Sequence, residues 1–552
     1  MRAKRAGQTP ARPQLETSRS KQAPLRQAQV RQAQVRQVQV RQAQSVLRLA
    51  AVVLAVMALL GLSACSVNTD EPATVTLPEH GTTTSTTSTS LPLDQGAAAE
   101  AEQTPPELAW ALQTGGAGDD AFNAVAGVQT SVVAVGSTSQ GIEQPVVGGT
   151  DVLSVTVDSK GAIESTDQFG TTSDESASGV AAAGAGSLAC GSTTGLLGFI
   201  TGGSGGDVGA SSDAWCAPLP ASSTEQITQL GGSDEERITG VALPQDPAPE
   251  AAENLIGFAS GTIDGYFPGA EDPAGRGLGS GDALAVRISD DGRALWARQF
   301  GTSANDAALG VCTVAEDGIF VGFTDGDLEG RSKGLRDAWI SRVDAKGVQR
   351  WITQFGGAGS EEFRAVARAG EAREGTEQFV AVGSTDGDID QSGPLANSGS
   401  TDAIITSFAS DGTIRWATQL GSEFEDVATA VTSDGTNIYV AGTTRNSTTP
   451  NIGEGDALIG LGDLNNEIGP GGGTDSFLAS LDAKTGQVRW VMRLGSAADE
   501  ATTGLTTTEG GLLVLSGTTT GQVAGTPPAG GSDGFLLAFQ LPSSGGAAAS
   551  SV

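Results

Sequence analysis

Trp416–Asp434 reads WATQLGSEFEDVATAVTSD, Asn437–Thr444 reads NIYVAGTT, and Thr474–Gly486 reads TDSFLASLDAKTG, after which Trp490 restarts the cycle. The same phrase recurs seven times. Its phase marker is a glycine two residues after a glutamine: Gly115, Gly170, Gly231, Gly301, Gly356, Gly421 and Gly495. Gln113, Gln168, Gln229, Gln299, Gln354 and Gln419 precede six of them, and Arg493 the last. The spacings run from 55 to 74 residues. Such a period belongs to units that cannot bury their faces alone and must stack.

Each unit holds four short apolar runs, A to D, bounded by Gly, Asp and Ser, with the length and composition of strands. In the copy above they are Ala428–Thr432, Asn437–Thr444, Ser476–Leu481 and Val488–Leu494. Tight turns join C to D, such as DSKG at Asp158, DAKG at Asp344 and DAKTG at Asp482. Asp opens such turns and Gly accepts positive φ, so these are β-hairpins. Nothing after residue 107 reads as a helix of comparable strength. The expectation is an all-β fold, a seven-bladed β-propeller of four-stranded antiparallel blades. The repeat begins on an isolated D run, Glu107–Gln113, and ends on an unpartnered C run, Gly534–Leu541. If the first completes the last blade, both exposed edges are paired and the ring closes. Trp110, Trp296, Trp351, Trp416 and Trp490 share one position, where Trp serves inter-blade packing; Ser165 and Gln226 replace it in two copies.

The pattern W-x-x-Q-x-G, D/E-x-A, V-x-V-x-G-x-T, D-A-F-x-x-x-x-D-x-x-G over residues 107–541 resembles the bacterial SBBP-type β-propeller repeat family. The resemblance implies the fold and a surface or secreted setting, and little about activity. Leu481–Trp490 also resembles the tryptophan-docking repeat of quinoprotein dehydrogenases, which a hairpin turn followed by an inter-blade Trp explains without a cofactor.

Residues 1–48 form a basic, Gln-rich leader for which no fold is expected. Leu49–Leu62 is a 14-residue apolar run, short for a membrane span and fitting a signal-peptide core. It ends in Leu62-Ser63-Ala64-Cys65, which resembles a bacterial lipobox and implies a diacylglyceryl anchor on Cys65, so that 49–65 is the signal segment. Two acyl chains give lasting membrane attachment. Residues 66–106 are a Thr/Ser/Pro-rich tether and 542–552 a Ser/Gly/Ala tail, neither able to build a core.

The chain carries a formal charge of −33. Without the leader, 20 Lys and Arg face 63 Asp and Glu, which argues against nucleic acid as a partner. The single histidine, His80, lies in the tether, so devices that need an imidazole base have no place in the propeller. A carboxylate pair for glycoside hydrolysis stays open, although no pair stands out and no catalytic motif appears.

Two acidic positions recur in every copy. Five residues after the marker stand Asp120, Glu175, Glu236, Asp306, Glu361, Asp426 and Glu500; just before run C stand Asp151, Asp213, Asp282, Asp337, Asp402, Asp475 and Asp533. Carboxylates here can fix the D–A and B–C loops by accepting backbone N–H groups. Both sets border the face carrying those loops, and the variable B–C loops make it the expected ligand face. An oxygen-rich surface there suits Ca²⁺, with Asp386, Asp388 and Asp390 in Asp-Gly-Asp-Ile-Asp as the local metal candidates. In the second copy, Thr193 facing Asp213 sets Cys190 opposite Cys216, a disulfide-compatible pair in an oxidising compartment, while Cys312 stays free. The reading is a lipid-anchored extracytoplasmic binding or scaffold module, tied to the membrane through Cys65, with a protein or glycan ligand on the B–C/D–A face. Alternatives are an envelope-assembly lipoprotein or a cofactor- or carbohydrate-dependent propeller enzyme.

Overall fold

The computed structural model describes residues 104–542, apart from 185, 202–210, 222–225, 232–233, 245–254, 266–278, 329–333, 371–376, 390–398, 423, 446–456, 461–472, 524 and 526. The leader, Cys65, nearly all of the tether and the tail after 542 lie outside the described residues. Among the described residues the strands form seven antiparallel sheets, each built from one repeat in the order A-B-C-D. Blades 1 to 6 begin at Asp120, Glu175, Glu236, Asp306, Glu361 and Asp426. Blade 7 takes Glu500–Thr507, Leu512–Thr519 and Asp533–Gln540, and its D strand is Glu107–Thr114. That N-terminal strand pairs along its length with the last one, from Glu107 opposite Gln540 to Thr114 opposite Gly534. Blade 1 packs on blade 7, and the Asp120 N–H donates to the Ser532 carbonyl at 2.8 Å, so the ring is closed.

Both faces of every sheet are buried, because each blade is sandwiched between two others. In strand C of blade 1, Val152 joins the core shared with blade 2 while Leu153, Val155 and Val157 join the core shared with blade 7. Seven such cores exist, one in each seam between blades. This is why the strands read as nearly continuous apolar runs rather than as alternating ones. The A strands are neighbours around the inside of the ring, and each carries a β-bulge near its start, as between Phe122 and Ala124.

At the outer rim the D-strand tryptophans reach the C–D turn of the following blade. The indole N–H of Trp110 donates to Ser159 O (3.1 Å), Trp296 to Ala345 O (3.0 Å), Trp351 to Ser410 O (3.0 Å) and Trp416 to Ala483 O (3.1 Å). The turn glycines have positive φ and lie under the rings: a Cβ on Gly161, Gly412 or Gly486 would stand 2.4–2.9 Å from indole carbons. Only Gly meets both conditions.

Two blades exceed four strands. Phe199–Thr201 and Ala457–Gly460, from the B–C segments of blades 2 and 6, each add a fifth strand parallel to strand D. The four-strand expectation missed them because they sit in long segments with no repeat phase. No described helix is long and apolar enough to cross a membrane.

Candidate functional site

The recurring glutamine and the recurring Asp before run C are one device. The Gln amide N–H donates to the Asp carboxylate in blades 1, 2, 3, 4, 5 and 7: Gln168–Asp151 (2.9 Å), Gln229–Asp213 (2.7 Å), Gln299–Asp282 (2.6 Å), Gln354–Asp337 (2.7 Å), Gln419–Asp402 (2.9 Å) and Gln113–Asp533 (2.8 Å). In blade 6, Arg493 takes the role through its Nε, 3.0 Å from Asp475. The amide also reaches the B–C loop. Gln113, for instance, donates to Gly521 O and accepts from the Val523 N–H. The phase glycine follows from this pairing. In all seven copies a Cβ on it would stand 2.0–2.8 Å from Oδ1 of the strand-C Asp.

The second acidic set ties the D–A loops. Asp120, Glu175, Asp306, Glu361, Asp426 and Glu500 each accept the backbone N–H four residues earlier at 2.6–2.8 Å. Where the acid is Glu175, Glu361 or Glu500, its other oxygen also takes the strand-B hydroxyl of Thr193, Thr385 or Thr519 at 2.8 Å. All fourteen carboxyls are 0–3% exposed. They are the first residues of strands A and C, not loop acids. The expected oxygen-rich surface is therefore corrected: these groups are buried inside the frame as struts that accept donors from the loops, the loop-fixing role expected of them. Burial pushes Glu361 above the ordinary carboxylate value, with the charges of Asp337 and Asp386 adding to it. Burial likewise raises Glu500, and raises Asp475 against the opposing pull of Arg493.

Of the metal candidates Asp386, Asp388 and Asp390, the first two lie among the described residues. Asp390 lies outside the described residues, and Asp386 accepts the Ser360 N–H through Oδ1 at 2.6 Å. Among the described residues no group of three or more His, Cys, Asp or Glu side chains is placed to hold a metal ion. Cys190 and Cys216 face each other on strands B and C of blade 2, with Cα atoms 4.1 Å apart, and are disulfide-bonded. Cys312 is free, and burial pushes its thiol up to about 12.

The feature that sequence reasoning missed is a cavity of about 560 Å³ on the B–C/D–A face, at the junction of blades 4, 5 and 6. Its charged floor is an arginine pair sharing one carboxylate. Arg336 Nε lies 2.8 Å from Asp325 and its Nη1 3.2 Å from Glu362, while Arg364 approaches Glu362 at 2.6 Å. The Arg336 guanidinium also lies 3.6 Å over the Phe323 ring. Burial works against the Arg336 charge, yet Asp325 and Glu362 outweigh it and hold the group above its ordinary value. Ser360, Ser384, Thr401 and Asp386 complete the polar lining, with Leu335 (77% exposed) on its apolar side.

The inner rim explains why the cavity opens there. At five of the seven A-strand bulges one side chain bonds to a carbonyl of the next blade: Asn123 to Ala177 O (2.9 Å), Ser178 to Ile238 O, Thr239 to Ala308 O (2.8 Å), Thr429 to Thr502 O (2.9 Å) and Thr503 to Phe122 O (2.7 Å). This belt is interrupted where the bulge residues are Leu309 and Arg364. Those are the seams between blades 4 and 5 and between 5 and 6, and the cavity spans both. Recurrence points to frame residues; in the cavity Arg336 and Arg364 stand where other repeats carry Thr, Ser, Gly, Asn or Leu.

The sequence matches no protein-family model and no curated protein. Among solved structures it is similar to a quinohemoprotein alcohol dehydrogenase of Pseudomonas putida HK5 (10% identity, TM-score 0.36, 79% of this chain and 76% of that one). It is also similar to the endosialidase of phage phi92 (9%, 0.37, 79% and 70%). A third is the β-propeller domain of the Trilobed protease of Pyrococcus furiosus (9%, 0.33, 74% and 91%). At these identities the likeness concerns the fold alone.

Proposed function

We propose that this chain is a lipid-anchored, extracytoplasmic binding module that works without catalysis, its ligand seated in the cavity over blades 4–6. The cavity itself carries the reading. It has the size of a small-ligand site, lies on the face of variable loops, and gathers hydroxyls and an arginine pair beside the frame. The anchor is read from the apolar run ending at Cys65 and the tether that follows. A cage of buried carboxylates holds the loops, so the site is presented on a rigid support.

A photo-crosslinking residue at Leu335, in the full-length protein in its own membranes, tests the site. A discrete adduct is expected from position 335 and none from Val348, which is exposed beyond a C–D turn on the opposite face. Equal labelling from both, or none from 335, overturns the assignment. For the anchor, Cys65→Ala abolishes acyl labelling; labelling that persists removes the lipid reading.

A further inference from the structure

Resting on that cavity reading, we infer that its ligand is a neutral polyhydroxylated ring compound, a glycan segment rather than an ion or a charged peptide. The groups that remain unsatisfied decide the class. The hydroxyl of Ser384 belongs to a residue only 8% exposed, lines the cavity, and has no hydrogen-bond partner among the described residues. The hydroxyls of Ser360 and Thr401 line the same space and are likewise unpartnered there. These hydroxyls face the cavity, where a ligand that supplies both donors and acceptors pairs with them.

The charged groups argue against ions. Asp325 and Glu362 already neutralise Arg336, and Glu362 also holds Arg364, so an anion would have to displace a bonded carboxylate. Five acids against these two arginines give the lining a negative balance that repels it further. A cation fares little better. Glu361 is internal and bonded to Gly357 N and Thr385, and Glu425 is held 2.7 Å from Arg445. Asp386 and the outer oxygen of Glu425 keep exposed acceptor capacity, too few and too far from a cluster to hold an ion by themselves. These acceptors, three hydroxyls, spare guanidinium N–H groups and the apolar edge of Leu335 suit vicinal ring hydroxyls and a C–H face. The volume accommodates a short oligosaccharide rather than a single small ion.

The full-length protein in detergent is titrated with maltotriose, cellotriose, xylotriose and chitotriose, and in parallel with inorganic phosphate and trilysine. At least one neutral trisaccharide binds saturably. The affinity falls about tenfold in Ser384→Ala and in Asp386→Asn, as loss of one good hydrogen bond implies, while the fold is unchanged. The amide of Asp386→Asn keeps an acceptor for the Ser360 N–H, so that variant probes the ligand contact with the loop intact. If no neutral trisaccharide binds, the inference is overturned. If phosphate or trilysine then binds and Arg364→Ala changes that affinity, the cavity reading survives with another ligand class. If no cavity variant alters any binding, the cavity reading fails with it.

Discussion

Blade 2 and blade 5 are held in opposite ways. Blade 2 is tied at the inner rim, where Asn123 reaches it from blade 1 and Ser178 reaches on to blade 3. At the outer rim it has Ser165 and Gln226 where other seams have tryptophan. It also carries the one disulfide among the described residues. Blade 5 is docked at the outer rim on both sides, by Trp351 and by its own Trp416, and its inner links are missing at Leu309 and Arg364. The cavity opens on the blade whose inner rim is released. A propeller can thus relax one rim of a blade when the other is secured, and the relaxed rim becomes available for binding.

Removing the Cys190–Cys216 bond gives the largest expected effect on this contrast. For a separation of 26 residues the loss is about 3.5 kcal/mol, read as a lower denaturant midpoint for Cys190→Ala/Cys216→Ala. An unchanged midpoint would mean blade 2 does not depend on its covalent staple. Next comes Trp351→Ala, which removes a half-buried indole and its bond to Ser410; about 3 kcal/mol is expected. If the outer dock sustains blade 5, this variant also weakens occupancy of the cavity. Unaltered occupancy would separate the two. Thr503→Val tests the inner belt at the seam of blades 7 and 1. About 1 kcal/mol is expected, since one hydrogen bond is lost and the shape is kept.

The smallest effect is in pH dependence. Glu361, Glu500 and Asp475 are raised above the ordinary carboxylate value, burial being the main cause in each. The native state therefore keeps protons that the unfolded chain releases. These groups contribute stability below the ordinary carboxylate range and lose that contribution as pH rises through their folded values. Glu361→Gln mimics the protonated form, so its melting temperature gains on that of the parent as pH rises above the ordinary carboxylate range. A difference that is flat with pH would show that Glu361 does not titrate in this way.

How far the sequence went can be read from particular residues. Ring, blade number, strand order and closure were legible because the phase glycine recurs in all seven repeats, with Gln before it in six and the D-strand tryptophan in five. The acids were legible as loop-fixing acceptors, and the N–H bonds to Asp120 and Asp533 bear this out. Their burial was not, because only the fold brings the Gln113 amide onto Asp533 and packs these carboxyls inside the frame. The inner belt was hidden because its chemistry tolerates Asn, Ser or Thr at a bulge, so no single letter repeats. The cavity was hidden because it gathers Arg336 from blade 4 with Arg364, Ser384 and Thr401 from separate places in blade 5, and because Arg336 stands where the other repeats carry Thr, Ser or Gly.

The pairing of Glu107–Thr114 with Asp533–Gln540 also sets the timing of folding. The first strand of the propeller to emerge from any export channel is the last to find its partner, more than four hundred residues later. Until then blades 1 to 6 form an open arc with a bare edge at each end, and the closing contact is among the most non-local a chain of this length can make. A polypeptide stopped short of residue 533 would have no partner to offer the N-terminal strand, so truncation near the C-terminus would unfasten the beginning of the propeller as well as its end.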